Sequence, residues 1–121
     1  MAIAMLLMIS MAALAHEKPV KGTHGGQLLD VNSYHWELVA VGGELTLHVS
    51  DAAEQPVSTN GAKATATVLS AGKALTVEMM AAEPNILKGK GDFVATKGLK
   101  VVVSVSGIGD KPAQIRFTPL E

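Results

Sequence analysis

The 121 residues suffice for one domain with a single core and not for two. Ten Lys and Arg against eleven Asp and Glu leave a net charge of −1 with no run of like charge, which excludes a nucleic-acid or anionic-membrane partner recruited by bulk electrostatics. There is no Cys, so disulfides, thiolate metal sites, redox pairs and a Cys nucleophile are excluded, and stability must come from a packed core.

Residues 1–15, MAIAMLLMISMAALA, are uncharged and almost wholly apolar. Ala13 and Ala15 put small side chains at the two positions a signal peptidase inspects, so we expect a signal peptide over 1–15 and cleavage after Ala15. No Lys or Arg precedes the apolar stretch, although an export signal ordinarily begins with one. The run ends at His16-Glu17-Lys18, short of the roughly 20 apolar residues a membrane-spanning helix needs. No membrane anchor is therefore expected after cleavage, and the periplasm is the expected location. Residues 16–25 have no hydrophobic period and contain Gly22 and Gly25, which reads as a flexible arm.

From Gly26 onward, short alternating segments rich in Val, Leu and Thr are separated by Gly, Asn, Asp and Pro. The strands expected are 27–31, 34–41, 44–50, 62–70, 74–81, a weaker piece over 86–95, then 100–106 and 114–118. Such a pattern over 26–121 predicts an all-β domain, an immunoglobulin-like two-sheet antiparallel sandwich of seven or eight strands. Gly42-Gly43 allows a two-residue hairpin turn, Asn60-Gly61 and Ala71-Gly72-Lys73 are similar turn signals, and Pro84 and Pro112 mark boundaries. Met79 and Met80, adjacent on one strand, should face opposite sides, with at least one filling the core.

All four His lie between residues 16 and 48. With Gly42 and Gly43 as the turn, Val41 pairs with Glu44, Glu37 with His48 and His35 with Ser50. Tyr34, Trp36, Leu38, Leu45, Leu47 and Val49 then face the core, and His35, Glu37, Thr46 and His48 share the opposite face. A tight turn at Asn32-Ser33 adds Asp30 opposite His35. Directly opposed Cβ atoms sit roughly 4.5 to 5.5 Å apart and diagonal ones roughly 7 to 8 Å, so two imidazoles and a carboxylate can converge on one ion. His24, between Thr23 and Gly25-Gly26, is a candidate ligand arriving from the arm. Imidazole with carboxylate suits zinc, nickel or cupric copper, and the carboxylates can instead orient an imidazole from behind. His16 is a separate candidate: at a freed amino terminus, its α-amine and imidazole would chelate cupric copper. A solvated sheet face with ordinary cross-strand His and Glu pairs accounts for the same spacing. A register slip of one residue would send His35 and His48 to opposite faces.

The segments His24-Gly25-Gly26, Tyr34-His35-Trp36-Glu37-Leu38, and Leu45 to Asp51 followed by Pro56-Val57 resemble small periplasmic proteins, and domains of efflux adaptors, associated with heavy-metal export of the cobalt-zinc-cadmium and copper-silver types. The likeness spans roughly Gly22 to Lys90. It implies a sandwich that binds or hands on a metal ion in the periplasm, with His24, His35 and Glu37 as the positions carried over, and efflux-complex proteins as partners. The lack of Cys and of a Met-rich stretch departs from a dedicated cuprous-copper role.

The expected function is thus binding or delivery of a divalent transition-metal ion (zinc, copper or nickel), linked to heavy-metal efflux or resistance. The alternative is a secreted sandwich that serves an envelope complex as an interaction module without metal. An enzyme is not expected: there is no Gly-x-Ser-x-Gly elbow, no phosphate-cradling Gly loop and no Cys nucleophile.

Overall fold

The computed structural model describes residues 20–82 and 84–120. The expected signal peptide 1–15 and His16 lie outside the described residues. Eight strands follow in order: β1 (Gln27–Val31), β2 (Tyr34–Val41), β3 (Glu44–Asp51), β4 (Lys63–Ser70), β5 (Lys73–Ala82), β6 (Ile86–Lys90), β7 (Lys100–Ser106) and β8 (Ala113–Phe117). Among the described residues there is no helix, and so none long and apolar enough to cross a membrane.

The β1–β2 and β2–β3 hairpins form because their turns permit it. Asn32 and Ser33 both take positive φ, 54° and 67°, and Gly42 sits at 59°, values whose twist suits tight antiparallel connections. The resulting register pairs Asp30 with His35, Leu29 with Trp36, Glu37 with His48, His35 with Ser50 and Val41 with Glu44, as the sequence predicts. β6 then lies along β3, β5 along β6, β4 along β5, and β7 and β8 follow.

The sequence leads one to expect two sheets, but the ladders link all eight strands into one antiparallel sheet of order β1-β2-β3-β6-β5-β4-β7-β8. The sheet curls until it is nearly closed, with its edge strands β1 and β8 in contact. Side chains rather than a ladder bridge this seam. Gln27 Oε1 accepts a 2.6 Å hydrogen bond from the Thr118 backbone N–H, and Asn32 Nδ2 donates to the Pro112 carbonyl at 3.2 Å.

Alternation puts one side chain of every pair inside. Trp36, Leu38, Leu47, Val68, Leu87, Val103 and Phe117 are fully or almost fully buried in one continuous core. Trp36 Nε1 donates to the Val31 carbonyl at 2.9 Å, which satisfies its one polar atom. Met79 is buried and Met80 exposed, as their adjacency predicts.

One strand is five residues shorter than expected. β6 stops at Lys90, and the next segment turns to the β2–β3 hairpin: the Gly91 N–H donates to the Gly43 carbonyl at 2.9 Å and the Ala95 N–H to the Gly42 carbonyl at 2.8 Å. Those donors are lost to any ladder with β5, so the chain crosses over the Val77 and Leu75 side chains instead of extending the sheet.

Candidate metal centre

The site is built where the arm folds over the outer face of the first two hairpins. Residues 20–25 do not stand away from the domain: the Leu28 N–H donates to the Val20 carbonyl at 2.7 Å, and the Gly22 N–H to the Gly26 carbonyl at 2.9 Å. Gly25, at φ 80°, reverses the chain and delivers His24 above β2. The fold-back requires close approach. A Cβ at Gly22 would overlap the Glu37 carboxyl group, and one at Gly26 would overlap the Leu38 carbonyl.

Glu37 lies beneath this loop and is 4% exposed, although its outward position on β2 suggested a solvated carboxylate. The arm is what covers it. Glu37 Oε1 accepts from His24 Nδ1 at 2.8 Å, while Oε2 accepts the backbone N–H groups of His24 and Gly26, each at 2.9 Å. Burial by itself would raise the Glu37 pKa. The bonds from the His24 ring, then from the Gly26 and His24 backbones, together with attraction to a charged His24, outweigh burial and hold the carboxyl below its ordinary range. Glu37 is therefore ionised at neutral pH.

His24, half exposed, stacks on His48, the cross-strand partner of Glu37. The ring centroids are 3.6 Å apart and the planes 5° from parallel. Burial lowers the His48 pKa first, and positive charge on His24 and Lys88 lowers it further against the opposing pull of Glu37. His48 is thus held as a neutral imidazole, the form with a lone pair to give.

His35, one diagonal step from His48, turns Nδ1 to the Asp30 carboxylate across the β1–β2 pair. That contact is not aligned as a hydrogen bond, and His35 Nδ1 is buried without a hydrogen-bond partner. With Nδ1 against a carboxylate, Nε2 is the nitrogen left for a ligand.

His24, His35, Glu37 and His48 together line one open cleft of about 380 Å³. The structure thus brings together four of the five residues singled out in the sequence; the fifth, His16, lies outside the described residues. Glu54 and Asn85 also reach this cleft, and neither is flagged by sequence pattern. Glu54 is a non-Gly residue at φ 62° on the loop after β3, where no ladder register predicts a side chain's neighbours.

Among the described residues, no group of three or more His, Asp or Glu side chains is arranged to hold a metal ion as it stands. Two causes are visible. An imidazole lone pair lies in its ring plane, so two parallel rings share no point where one ion can sit. In addition, both Glu37 oxygens are engaged by the arm.

No family model, curated protein or solved structure matches the chain.

Proposed function

We propose that the protein binds a divalent transition-metal ion of the zinc, nickel or cupric type in the cleft between the arm and the first hairpins, and holds or delivers it in a heavy-metal efflux or resistance setting. The observation that carries this reading is the convergence of three imidazoles, His24, His35 and His48, on one cleft with a carboxylate behind two of them. Three nitrogen donors with an open position suit an ion of borderline softness. Glu37 behind His24 follows the pattern in which a carboxylate takes one ring nitrogen and leaves the other for the metal, and Asp30 stands beside His35 Nδ1 without an aligned hydrogen bond. Asp30 is exposed and Glu37 is not, so His24 is the more firmly oriented of the two.

The setting in this proposal is the periplasm, from the apolar stretch 1–15 ending in Ala13-Leu14-Ala15. The role proposed is binding or delivery of the ion, carried by the ligand side chains that line the cleft. In fold terms the proposal is a flattened, immunoglobulin-like sandwich. β5 and β6 share only the pairs Met80↔Lys88, Ala81↔Leu87 and Ala82↔Ile86, which would serve as one corner, and the ladder-free β1–β8 seam as the other.

The test follows melting temperature while metal-free protein is titrated with zinc, nickel and copper. A ligand that binds only the folded state raises stability by about 2.7 kcal/mol at a hundred times its Kd. A rise with at least one ion is expected, and it should fall away in His24→Ala, His35→Ala and His48→Ala. No rise with any of the ions at concentrations well above micromolar would sink the metal reading and favour the interaction module.

A further inference from the structure

Resting on that metal-binding reading, the geometry points to Glu37 as a positioning residue and not a ligand: a pivot about which His24 turns from a stacked, metal-free arrangement into a chelating one. Both oxygens of the carboxylate are engaged and the group is buried, which leaves an ion no open approach to it. Oε1 takes the His24 Nδ1 hydrogen bond at 2.8 Å, and Oε2 takes two backbone N–H groups at 2.9 Å. An ion reaching Glu37 would have to displace the loop that Gly22 and Gly26 allow to close over it.

A carboxylate acceptor fixes the proton of a neutral His24 on Nδ1 and leaves the lone pair on Nε2. In the stacked state that lone pair cannot meet an ion bound to His48, because the ring planes are 3.6 Å apart and 5° from parallel. Turning the His24 side chain about its Cα–Cβ and Cβ–Cγ bonds, with Nδ1 kept within reach of Oε1, removes the obstacle: the ring plane tilts until it crosses that of His48, and Nε2 turns toward the cleft. Glu37 holds the His24 backbone N–H as well, so the arm stays anchored while the ring turns. The stack is therefore the closed form of the ligand set.

The pivot requires a carboxylate. An amide at this position offers one acceptor oxygen: on the backbone N–H groups of His24 and Gly26 it turns its NH2 to His24 Nδ1 and moves the ring proton to Nε2, the nitrogen the metal needs, and in the opposite orientation its NH2 faces the backbone donors. Glu37→Gln is expected to lose either the His24 tautomer or the backbone contacts and to weaken zinc binding about 10- to 100-fold, the usual cost of losing a carboxylate behind a ligand imidazole. Glu37→Asp keeps both acceptor oxygens and should recover part of that loss.

The experiment is nitrogen NMR of the histidine rings in the full chain, without and with zinc, His24 being assigned through His24→Ala. Before zinc, the Nδ1–H tautomer is expected at His24. With zinc, His24 Nε2 should become metal-bound together with the His35 and His48 rings, while the His24 Nδ1–H is retained and the Glu37 carboxyl carbon stays near its metal-free position. Zinc on His24 Nδ1 or on the Glu37 carboxylate would overturn the inference. Zinc-bound signals at His35 and His48 with His24 unchanged would overturn it too, while leaving the metal reading in place. No zinc-bound signal at any of the three rings would overturn both. Wild-type affinity in a folded Glu37→Gln would also refute the pivot, and if that variant does not fold the wild-type spectra decide.

Discussion

The imidazole of His24 lies face to face on that of His48, 3.6 Å between centroids, so the arm and the third strand meet through two rings that cannot both carry charge comfortably. Removing the arm's ring leaves Glu37 buried with only backbone donors. His24→Ala should therefore destabilise the metal-free protein by about 1.5 to 3 kcal/mol, the range for a hydrogen bond to a charged group. Urea denaturation measures this, and an unchanged midpoint would show that the ring contributes nothing to the fold.

The hairpins were readable from the sequence because alternation fixes which face each side chain takes and two tight turns fix the register. Glu37 opposite His48 and Asp30 opposite His35 follow from residue spacing alone. Burial of Glu37 does not. The cover is a loop with no period, and its fold-back depends on carboxylate-to-backbone bonds and on two glycines with no room for a Cβ, none of which leaves a hydrophobic pattern. The closure of eight strands into one curled sheet was hidden for a related reason. Strand order depends on which edges meet, and β6 returning to β3 has no local signal.

Gly26→Ala puts a methyl group onto the Leu38 carbonyl, and Gly22→Ala puts one onto the Glu37 carboxyl group. Backbone is the less yielding obstacle, so Gly26→Ala should cost more, on the order of 1 to 3 kcal/mol as for other overpacked sites. Both should also reduce any zinc-induced rise in melting temperature, because the loop that carries His24 is displaced. Thermal melts with and without zinc separate the two effects, and an unaffected zinc response in both variants would contradict the closed-loop description.

Acid should weaken the fold through two groups acting in the same direction. Glu37 has its pKa lowered by folding, so its contribution is present above the ordinary value of 4.5 and is lost as pH falls through the lower folded value. His48 is also lowered: the unfolded chain takes up its proton near the ordinary 6.5, while the folded chain resists until lower pH, so stability falls as pH drops below 6.5. Denaturation at pH 7.5, 5.5 and 4 should show a monotonic loss, and His48→Ala should flatten the upper step. A wild-type protein equally stable at pH 7.5 and 5.5 would contradict the His48 assignment.

In the core, Leu47 is fully buried between β2 and β6 and its alternation partners all face inward. Leu47→Ala should cost about 2 to 5 kcal/mol, read by denaturant midpoint. Zinc should still raise the melting temperature of any folded fraction, because the cleft lies on the other face of that strand.

The most direct measurement is equilibrium dialysis of the full chain against zinc, with the bound metal counted per chain, for the wild type and for the combined His24→Ala, His35→Ala, His48→Ala variant. One ion per wild-type chain is expected, with loss of that ion in the combined variant while the strands remain folded. Retention of the ion by the variant, or its loss on His16→Ala alone, would contradict a site built from the arm and the first hairpins.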